Sequence, residues 1–279
     1  MFRSSVAILA AGISLTGCGT TYQMPVLADA ELSRANAVIA RESATPLARV
    51  PVLDGVERFE RVAARIEPHA EAMCRQETPK RDCDLAIRVD LDPMSPANAF
   101  QTVNSDGPLI IITAPLLQGT RNDDEVAFVM GHEAGHHIAS HLEKQAGQQL
   151  AGALILGMAA AYAGSGSTDY YQNQRNIENA MNTGAAVGGM AYSQTYELEA
   201  DMLGAYIAEA AGYDAEKGSL LFARREGGGG GRTGANGAMS LWSTHPGSPQ
   251  RVATVRYAVA DARGKKTAGL PVRPEWRNP

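Results

Sequence analysis

The sequence predicts an α+β fold that is predominantly α-helical, with a small mixed β-sheet of three or four strands. Several segments repeat apolar residues at the three- and four-residue spacing of an amphipathic helix. Short apolar runs of strand length cluster between residues 85 and 113. The chain has 279 residues, 44% of them hydrophobic and 20% charged, which is the composition of a globular protein with a sizeable core.

Charge and cysteine content narrow the classes of function. Thirty acidic residues against twenty-five basic ones give a net charge of −5. This balance argues against a nucleic-acid partner, because phosphates attract a basic surface. Three cysteines are too few for a small disulfide-stapled domain, and they leave one cysteine unpaired if the chain is exported.

The amino terminus predicts export and lipidation. Arg3 precedes an apolar run that is too short for a permanent membrane span and is typical of a signal peptide. The Leu-Thr-Gly-Cys sequence that ends at Cys18 resembles the bacterial lipobox, where residues 1–17 are removed and the cysteine becomes diacylated. The alternative is an ordinary signal peptide with a chance cysteine. Since Gly19 follows instead of an aspartate, we expect a periplasmic lipoprotein of the outer membrane.

Export also predicts a disulfide between Cys74 and Cys83. The two residues enclose eight others that look like a turn between a helix and a strand. The periplasm is oxidising, which favours a disulfide that closes this loop. Half of a zinc ribbon is excluded, because it would need two more cysteines.

The elements are expected in a simple order along the chain. Residues 18–50 hold a lipidated tether, at 19–27, and an N-terminal helix. The main domain covers 51–263, and 264–279 form a C-terminal tail. A long amphipathic helix runs from Asp54 towards Cys74 and repeats apolar residues at Val56, Phe59, Val62, Ala63 and Ile66. Strands are predicted at 85–89, 98–103 and 109–113.

Two later segments have no strong periodicity. Residues 150–163 are almost entirely apolar but too few for a comfortable membrane span, so we expect a buried or membrane-surface helix. Residues 165–182 are rich in Gly, Ser, Asn and Gln and predict a flexible loop over a cleft.

The next predicted helix carries the chemistry. Asn122 stands three positions before Glu125, which resembles a capping box that opens a helix at Asp123. His132 and His136 lie four residues apart and therefore on one face of this helix, where both imidazoles can bind one ion. Zinc suits such a pair.

Glu133 adds the general base. It lies about 100° around the helix from His132, so it can reach a water on the metal instead of the metal itself. Zinc lowers the pKa of that water to near neutrality, and the carboxylate takes its proton during attack on a carbonyl. Surface histidines on a solvated helix are the alternative interpretation.

A catalytic zinc needs one further protein ligand and an open position. His137 and His141 follow His136 closely, but they lie about 100° and about 140° around the helix from it. We expect both of them, like His69, to be bystanders.

A second acidic helix offers the missing ligand. Glu197 and Asp201 are four residues apart and share a face, whereas Glu199 lies about 200° from Glu197 and cannot bind the same ion. One carboxylate would be the ligand and the other would orient a ligand histidine. Taken alone, such a pair is usually a solvated helix face.

Three ordered motifs together resemble a known family. His-Glu-x-x-His is followed by Tyr-Glu-Leu-Glu-Ala-Asp and by Ser-Thr-His-Pro with a later Arg. Over residues 50–260 the chain is similar to the zinc endopeptidases that include HtpX-like proteases and CAAX prenyl proteases, and most similar to their soluble periplasmic lipoprotein branch. The resemblance implies a zincin-like catalytic domain with the sheet beside the His-Glu-x-x-His helix.

The resemblance also implies roles for individual residues. It assigns zinc binding to His132, His136 and Glu197, the general base to Glu133 and support of the site to Asp201. His245 and Arg251 match the carboxy-terminal motif. The edge strand that would bind an extended substrate corresponds to Asn98, Ala99 and Phe100.

The roles of the last two motif residues stay open. His245 would stabilise the oxyanion of the tetrahedral intermediate or occupy the open zinc position in a resting state. Arg251 would bind substrate carbonyls or pair with an acid. The glycine run at 227–231 leads towards His245, and we hypothesise that it lets this histidine approach and leave the metal.

The favoured function is a zinc endopeptidase that cleaves unfolded or misassembled envelope proteins as quality control. Its partners would be these substrates, the membrane through Cys18 and the outer-membrane assembly machinery. One alternative is a metal-dependent cell-wall amidase. Another is an assembly factor or chaperone-like lipoprotein with a latent zinc site.

Overall fold

The structure, a computed structural model, describes residues 20–44, 49–190, 193–224 and 240–276. The predicted signal peptide, Cys18 and the glycine run lie outside these residues. The strands are β1 (Ala86–Asp90), β2 (Ala99–Asn104) and β3 (Gly107–Thr113). The helices are α1 (Asp29–Ser43), α2 (Val52–Glu77), α3 (Ala114–Gln118), α4 (Asp123–Ile138), α5 (His141–Ala163), α6 (Tyr170–Met190), α7 (Ser193–Ala210), α8 (Ala215–Gly218), α9 (Leu220–Ala223), α10 (Leu241–Thr244) and α11 (Pro249–Thr267).

The sheet confirms the predicted fold class. Its order is β1-β3-β2, with β1 parallel and β2 antiparallel to the central β3. Ile110 and Ile112 of β3 are buried in the core, as expected for a central strand. Because β2 is at an edge, one side of its backbone has no partner strand within the sheet.

The long amphipathic helix is α2, which starts two residues earlier than expected, at Val52. The predicted apolar residues Phe59, Val62 and Ile66 are buried against the rest of the core. Cys74 in its last turn forms a disulfide with Cys83, with the two Cα atoms 5.6 Å apart. This link joins the end of α2 to the segment that leads into β1.

Helix α4 crosses the centre of the molecule. It begins at Asp123 as predicted, and the side chain of Asn122 accepts a hydrogen bond from the backbone N–H of Glu125 at 3.0 Å. The second half of the expected capping box differs, because the Glu125 carboxylate accepts from the backbone N–H of Arg121 instead. All residues from Glu125 to Ile138 are buried. Side chains on this helix therefore act in an environment that excludes water.

In the middle of the chain one prediction is wrong, and one of two alternatives in another prediction is excluded. Most of 165–182 belongs to α6 and is not a loop, because α6 packs along α5 as a helical hairpin. Residues 150–163 form a helix as expected, the second half of α5, but apart from Gly157 they are not buried; Leu150, Leu154 and Met158 are exposed. Among the described residues, no helix is both long enough and apolar enough to cross a bilayer. Contact of 150–163 with a membrane surface stays a prediction.

The expected tether is also different from what the structure shows. Tyr22 is fully buried in the main core, and its ring packs on Trp276 with the ring centroids 5.3 Å apart. The backbone N–H of Gln23 donates to the carbonyl of Glu275 at 2.9 Å. A large aromatic residue so close to the predicted lipidation site gains more by burial than by exposure. Residues 20–23 are therefore part of the folded body.

Candidate metal centre

The centre of the site lies on one face of α4. His132 and His136 are one turn apart, and their Nε2 atoms lie 3.1 Å from each other. Both residues are buried. Two ring nitrogens at this distance in a dry environment face a common point where a cation would sit.

Glycines bring the second acidic helix against this face. A Cβ atom added at Gly135 would lie 2.8 Å from the carbonyl oxygen of Ala200, and one added at Gly204 would lie 2.7 Å from the backbone nitrogen of His132. Only glycine leaves room for α4 and α7 to approach so closely. This contact places the carboxylates of α7 beside the two histidines.

Four buried side chains converge on a single point. They are His132, His136, Glu197 and His245, and one nitrogen or oxygen from each lies within 4.8 Å of the others. The two carboxylate oxygens of Glu197 are 3.4 Å from Nε2 of His132 and 3.4 Å from Nε2 of His136. Within the part of the chain that the structure describes, these four side chains form the group that could hold a metal ion.

The group fits zinc. In a tetrahedral site with bonds of about 2.0–2.1 Å, neighbouring ligand atoms are about 3.4 Å apart. Separations of 3.1, 3.3 and 3.4 Å within the group are close to this value, whereas Nδ1 of His245 and Glu197 are closer together, at 2.8 Å. Nitrogen from histidine and oxygen from a carboxylate are also ligands that zinc prefers.

His245 joins the group from a third part of the chain. It follows α10, and its Nδ1 lies 2.8 Å from Glu197 and 3.3 Å from Nε2 of His132. Its Nε2 lies 3.5 Å from Oε1 of Glu133. This position fits occupation of the fourth metal position more directly than a role as oxyanion donor alone.

Asp201 and Arg251 do not belong to the four-residue group but contact its members. Oδ1 of Asp201 lies 2.9 Å from Nδ1 of His132. Arg251 donates to both carboxylate oxygens of Asp201 at 2.6 Å and to the backbone carbonyl of His245 at 3.0 Å. Because Arg251 is buried and pairs with an acid, its position favours the pairing alternative over contact with substrate carbonyls.

Electrostatics favour a cation at this point. Burial raises the pKa of the Glu197 carboxyl, but His245 and Arg251 outweigh burial and hold that pKa well below its usual range. Burial likewise raises the pKa of Asp201, and Arg251 outweighs it. Burial lowers the pKa of His132, but contacts with Asp201 and Glu197 raise it to about 9. The two carboxylates are therefore ionised at neutral pH, and a divalent ion would have to displace the proton of His132 when it binds.

Glu133 is placed for proton transfer. It is buried beside the group but is not one of its four members. Its Oε1 accepts no hydrogen bond from the described residues. A buried carboxylate oxygen without a donor can accept a proton from a substrate or a water that enters the site.

One histidine that we expected to be a bystander is not. Nδ1 of His141 lies 2.8 Å from Nδ1 of His136, so the prediction for His141 is wrong. Helical angles no longer apply at His141, because α4 ends at Ile138 and Ser140, just before α5, has a left-handed backbone conformation. His137 points elsewhere, with its Nε2 2.8 Å from the carbonyl of Asp82.

The expected substrate strand lies close to the site. Ala99 and Phe100 belong to the edge strand β2, and Asn98 precedes it. The hydroxyl of Thr244, next to His245, donates to the Asn98 side chain at 3.4 Å. The role of this strand in substrate binding stays a prediction.

Replacing Gly204 with Ala should separate α7 from α4. We expect a loss of about 1–3 kcal/mol in the free energy of unfolding, because the new methyl group meets backbone atoms that cannot move aside. Zinc affinity should fall as well, since Glu197 moves with α7. Gly147→Ala on α5 is the matched control, because a Cβ atom there meets nothing within 4 Å. Denaturant unfolding and zinc titration would measure both effects; equal behaviour of the two variants would contradict the close-packing argument.

Comparisons with known proteins agree with this geometry. The model of the family described as Peptidase family M48 matches residues 57–259. The chain is similar to a putative beta-barrel assembly-enhancing protease of Vibrio cholerae, 30% identical over 128 residues that cover 42% of this chain and 24% of that protein. It is also similar to the mitochondrial metalloendopeptidase OMA1 of Arabidopsis thaliana, 26% identical over 146 residues that cover 52% of this chain and 26% of that protein. The matched regions thus span about a quarter of these relatives.

Proposed function

Because this chain belongs to peptidase family M48, we propose that it hydrolyses peptide bonds of unfolded or misassembled proteins in the bacterial cell envelope. The general activity is that of a zinc metalloendopeptidase. Three observations support it: the family match, the similarity to a metalloendopeptidase and the buried metal-binding group. The observation that carries the proposal is the convergence of His132, His136 and Glu197 beside a buried Glu133 that is free to accept a proton.

The residues of the site have different roles in peptide hydrolysis. Zinc, when bound, supplies a Lewis acid that polarises the scissile carbonyl and makes a water molecule more acidic. Glu133 takes the proton of the attacking water at its carboxylate and then delivers it to the nitrogen of the leaving amine. Asp201 orients His132 through Nδ1, and Arg251 balances the charge of Asp201.

Broad specificity follows from the edge strand. An extended chain that adds to β2 is held by main-chain hydrogen bonds, which every sequence can form. Folded proteins offer few free strands, whereas unfolded or misassembled ones expose many. The exposed side chain of Phe100 would contact the side chains of such a substrate.

Digestion of unfolded substrates tests the proposed activity. We expect the protein to cleave unfolded casein but not compactly folded proteins, to lose this activity with a zinc chelator and to regain it with added zinc. Fragment analysis by gel electrophoresis and mass spectrometry would measure the cleavage. Digestion that continues unchanged in the chelator would contradict the metal-dependent mechanism.

His245 favours a second candidate function, a latent zinc site. Four protein ligands form the closed set that is typical of structural zinc, and His245 is the fourth member of the group. In the same assay, a latent site predicts a slow wild type and a faster His245→Ala variant. A role for His245 in oxyanion stabilisation predicts the opposite order.

We also propose that Cys18 anchors the chain to the outer membrane and brings it near the outer-membrane assembly machinery. The lipobox-like sequence supports the anchor. Similarity to a putative beta-barrel assembly-enhancing protease supports an envelope location and assembly-related substrates.

Replacing Cys18 with Ser should release the protein from the membrane. The expected result is transfer from the outer-membrane fraction to the soluble or unprocessed fractions, together with loss of fatty-acid labelling, because serine cannot carry the thioether lipid. Cell fractionation with radiolabelled palmitate would measure both. Cys83→Ser is the control and should keep its label. Outer-membrane attachment or fatty-acid labelling that persists in Cys18→Ser would argue against this anchor.

A further inference from the structure

A chain of hydrogen bonds leads away from the metal centre on the side opposite to Asp201. Nδ1 of His136 lies 2.8 Å from Nδ1 of His141, and Nε2 of His141 lies 2.9 Å from Oε2 of Glu199. All three side chains are buried, and the Glu199 side chain is fully inaccessible. A buried carboxylate is costly unless donors surround it, so its presence here calls for an explanation.

The protons in this chain can be arranged in one way that serves a metal. Nε2 of His136 faces the metal-binding group, so its lone pair must be free and the ring proton must be on Nδ1. That Nδ1–H donates to Nδ1 of His141, which must then be the acceptor nitrogen. The proton of His141 is consequently on Nε2 and is donated to the Glu199 carboxylate. Each hydrogen bond fixes which nitrogen of the next ring carries the proton. The series ends on the Glu199 carboxylate, which only accepts hydrogen bonds.

The N-terminal segment completes the chain. The other oxygen of Glu199, Oε1, accepts hydrogen bonds from the backbone N–H groups of Thr21 and of Tyr22, the latter at 2.7 Å. Lys144 donates to the Thr21 hydroxyl at 2.8 Å and lies 3.7 Å from Oε2 of Glu199. Burial of Tyr22 against Trp276 holds these two backbone donors in place.

We infer that His141 and Glu199 are positioning residues for the metal centre, and that the backbone of Thr21 and Tyr22 holds Glu199 in place. The inference rests on the proposed role of His136 as a zinc ligand. It pairs each ligand histidine of α4 with its own carboxylate from α7. Asp201 contacts His132 directly, whereas Glu199, on the other side of α7, reaches His136 through the ring of His141. Partners of this kind fix the ring orientation and the tautomer of a ligand.

The ring of His141 is itself held in a fixed position. It stacks on Tyr196 with the centroids 4.4 Å apart and the planes 16° from parallel. Tyr196 directly precedes the ligand Glu197, and its hydroxyl accepts a hydrogen bond from Gln148. The stack leaves His141 little freedom to rotate, so the position of Glu199 is transmitted to His136.

Zinc affinity of the full-length protein tests this inference. We expect Glu199→Gln to raise the zinc dissociation constant about 10–100-fold, the range typical when partners of metal ligands are lost. The amide nitrogen of Gln would face either the His141 N–H or the two backbone donors. His141→Phe keeps the stack on Tyr196 but removes both nitrogens, so it should weaken zinc binding similarly and serves if Glu199→Gln folds poorly. Competition with a chromophoric chelator measures the constant.

The matched control is another buried carboxylate. Glu125→Gln removes the same charge from α4, where Glu125 pairs with Arg224 at 2.6 Å. It should lower thermal stability yet leave zinc affinity unchanged when measured well below the unfolding transition. A merely structural role for Glu199 predicts that its variant behaves in the same way, and unchanged affinity in both Glu199→Gln and His141→Phe would overturn the inference.

The N-terminal donors need their own test. Thr21→Pro removes one backbone N–H, whereas Thr21→Ser keeps both the N–H and the hydroxyl. We expect weaker zinc binding in the proline variant alone; equal affinities would overturn the part of the inference that concerns this segment. His136→Ala tests the proposed metal site separately from the positioning roles of His141 and Glu199. If that variant binds zinc as tightly as wild type, the proposed metal site is wrong and the inference fails with it.

Discussion

Replacing Glu133 with Gln is expected to lower kcat by about 10²–10⁴-fold, the usual contribution of a general base. Gln has nearly the same shape as Glu, but its amide cannot accept the proton of the attacking water. Zinc should stay bound, because Glu133 is not among the four side chains that converge on the metal position. The variant should therefore be folded, loaded and inactive.

Casein digestion and zinc content, measured on the same samples, would check this result. Glu143→Gln is a suitable control, since Glu143 is exposed on α5 and pairs with Arg81 away from the four-residue group. It should retain full activity. If Glu133→Gln digests casein as fast as wild type does, the proton transfer assigned to Glu133 is wrong.

Replacing Arg251 with Met is expected to have the largest effect on stability. Removal of one partner of a buried ion pair costs about 3–5 kcal/mol, because the other charge stays buried without compensation. Here the remaining charge would be Asp201, which is only 1% exposed and, among the described residues, would keep only the contact with Nδ1 of His132. Loss of Arg251 also frees the backbone carbonyl of His245 and removes a cation that lies 3.3 Å from Glu197. Zinc affinity should change together with stability.

Denaturant unfolding would measure this loss of stability and compare it with the loss at an exposed ion pair. Arg263 forms a comparable two-pronged contact with Glu209, but its side chain is 50% exposed. Arg263→Met should cost at most about 1 kcal/mol, because water screens exposed pairs. Equal costs for the two substitutions would show that the Asp201–Arg251 pair does not depend on burial.

The parts of the site that were predictable from the sequence are those that depend on local geometry. Two histidines four residues apart on a capped helix share a face in any fold that keeps the helix. The same rule places Glu197 and Asp201 on one side of α7 and excludes Glu199 from the metal position, and the described residues show both arrangements. The central strand β3 was likewise visible as a short apolar run between turns.

The failed predictions share a different cause. Helix α6 is polar, and its own sequence indicates a loop; packing along α5 makes it a helix. The segment before α1 looks like a tether until Tyr22 is seen buried with Trp276, more than two hundred and fifty residues later in the chain. His141 looked like a bystander because helical angles stop applying where α4 ends. In each case the contact that determines the structure involves residues outside the short stretch of sequence over which a periodic pattern can be recognised.

The sequence by itself indicated the candidates for the chemistry: the histidine pair and the carboxylate pair that can bind zinc, the glutamate that can take a proton, and the helix faces that present them. Only the tertiary structure decided how those helices meet. Gly131, Gly135 and Gly204 bring α4 and α7 into backbone contact, which turns a histidine pair and a carboxylate pair into one centre. It also decided that Arg251 faces Asp201 and that the N-terminal segment faces Glu199. The physical reason is that most buried polar groups need a hydrogen-bonding or charged partner, and here those partners are distant in the sequence.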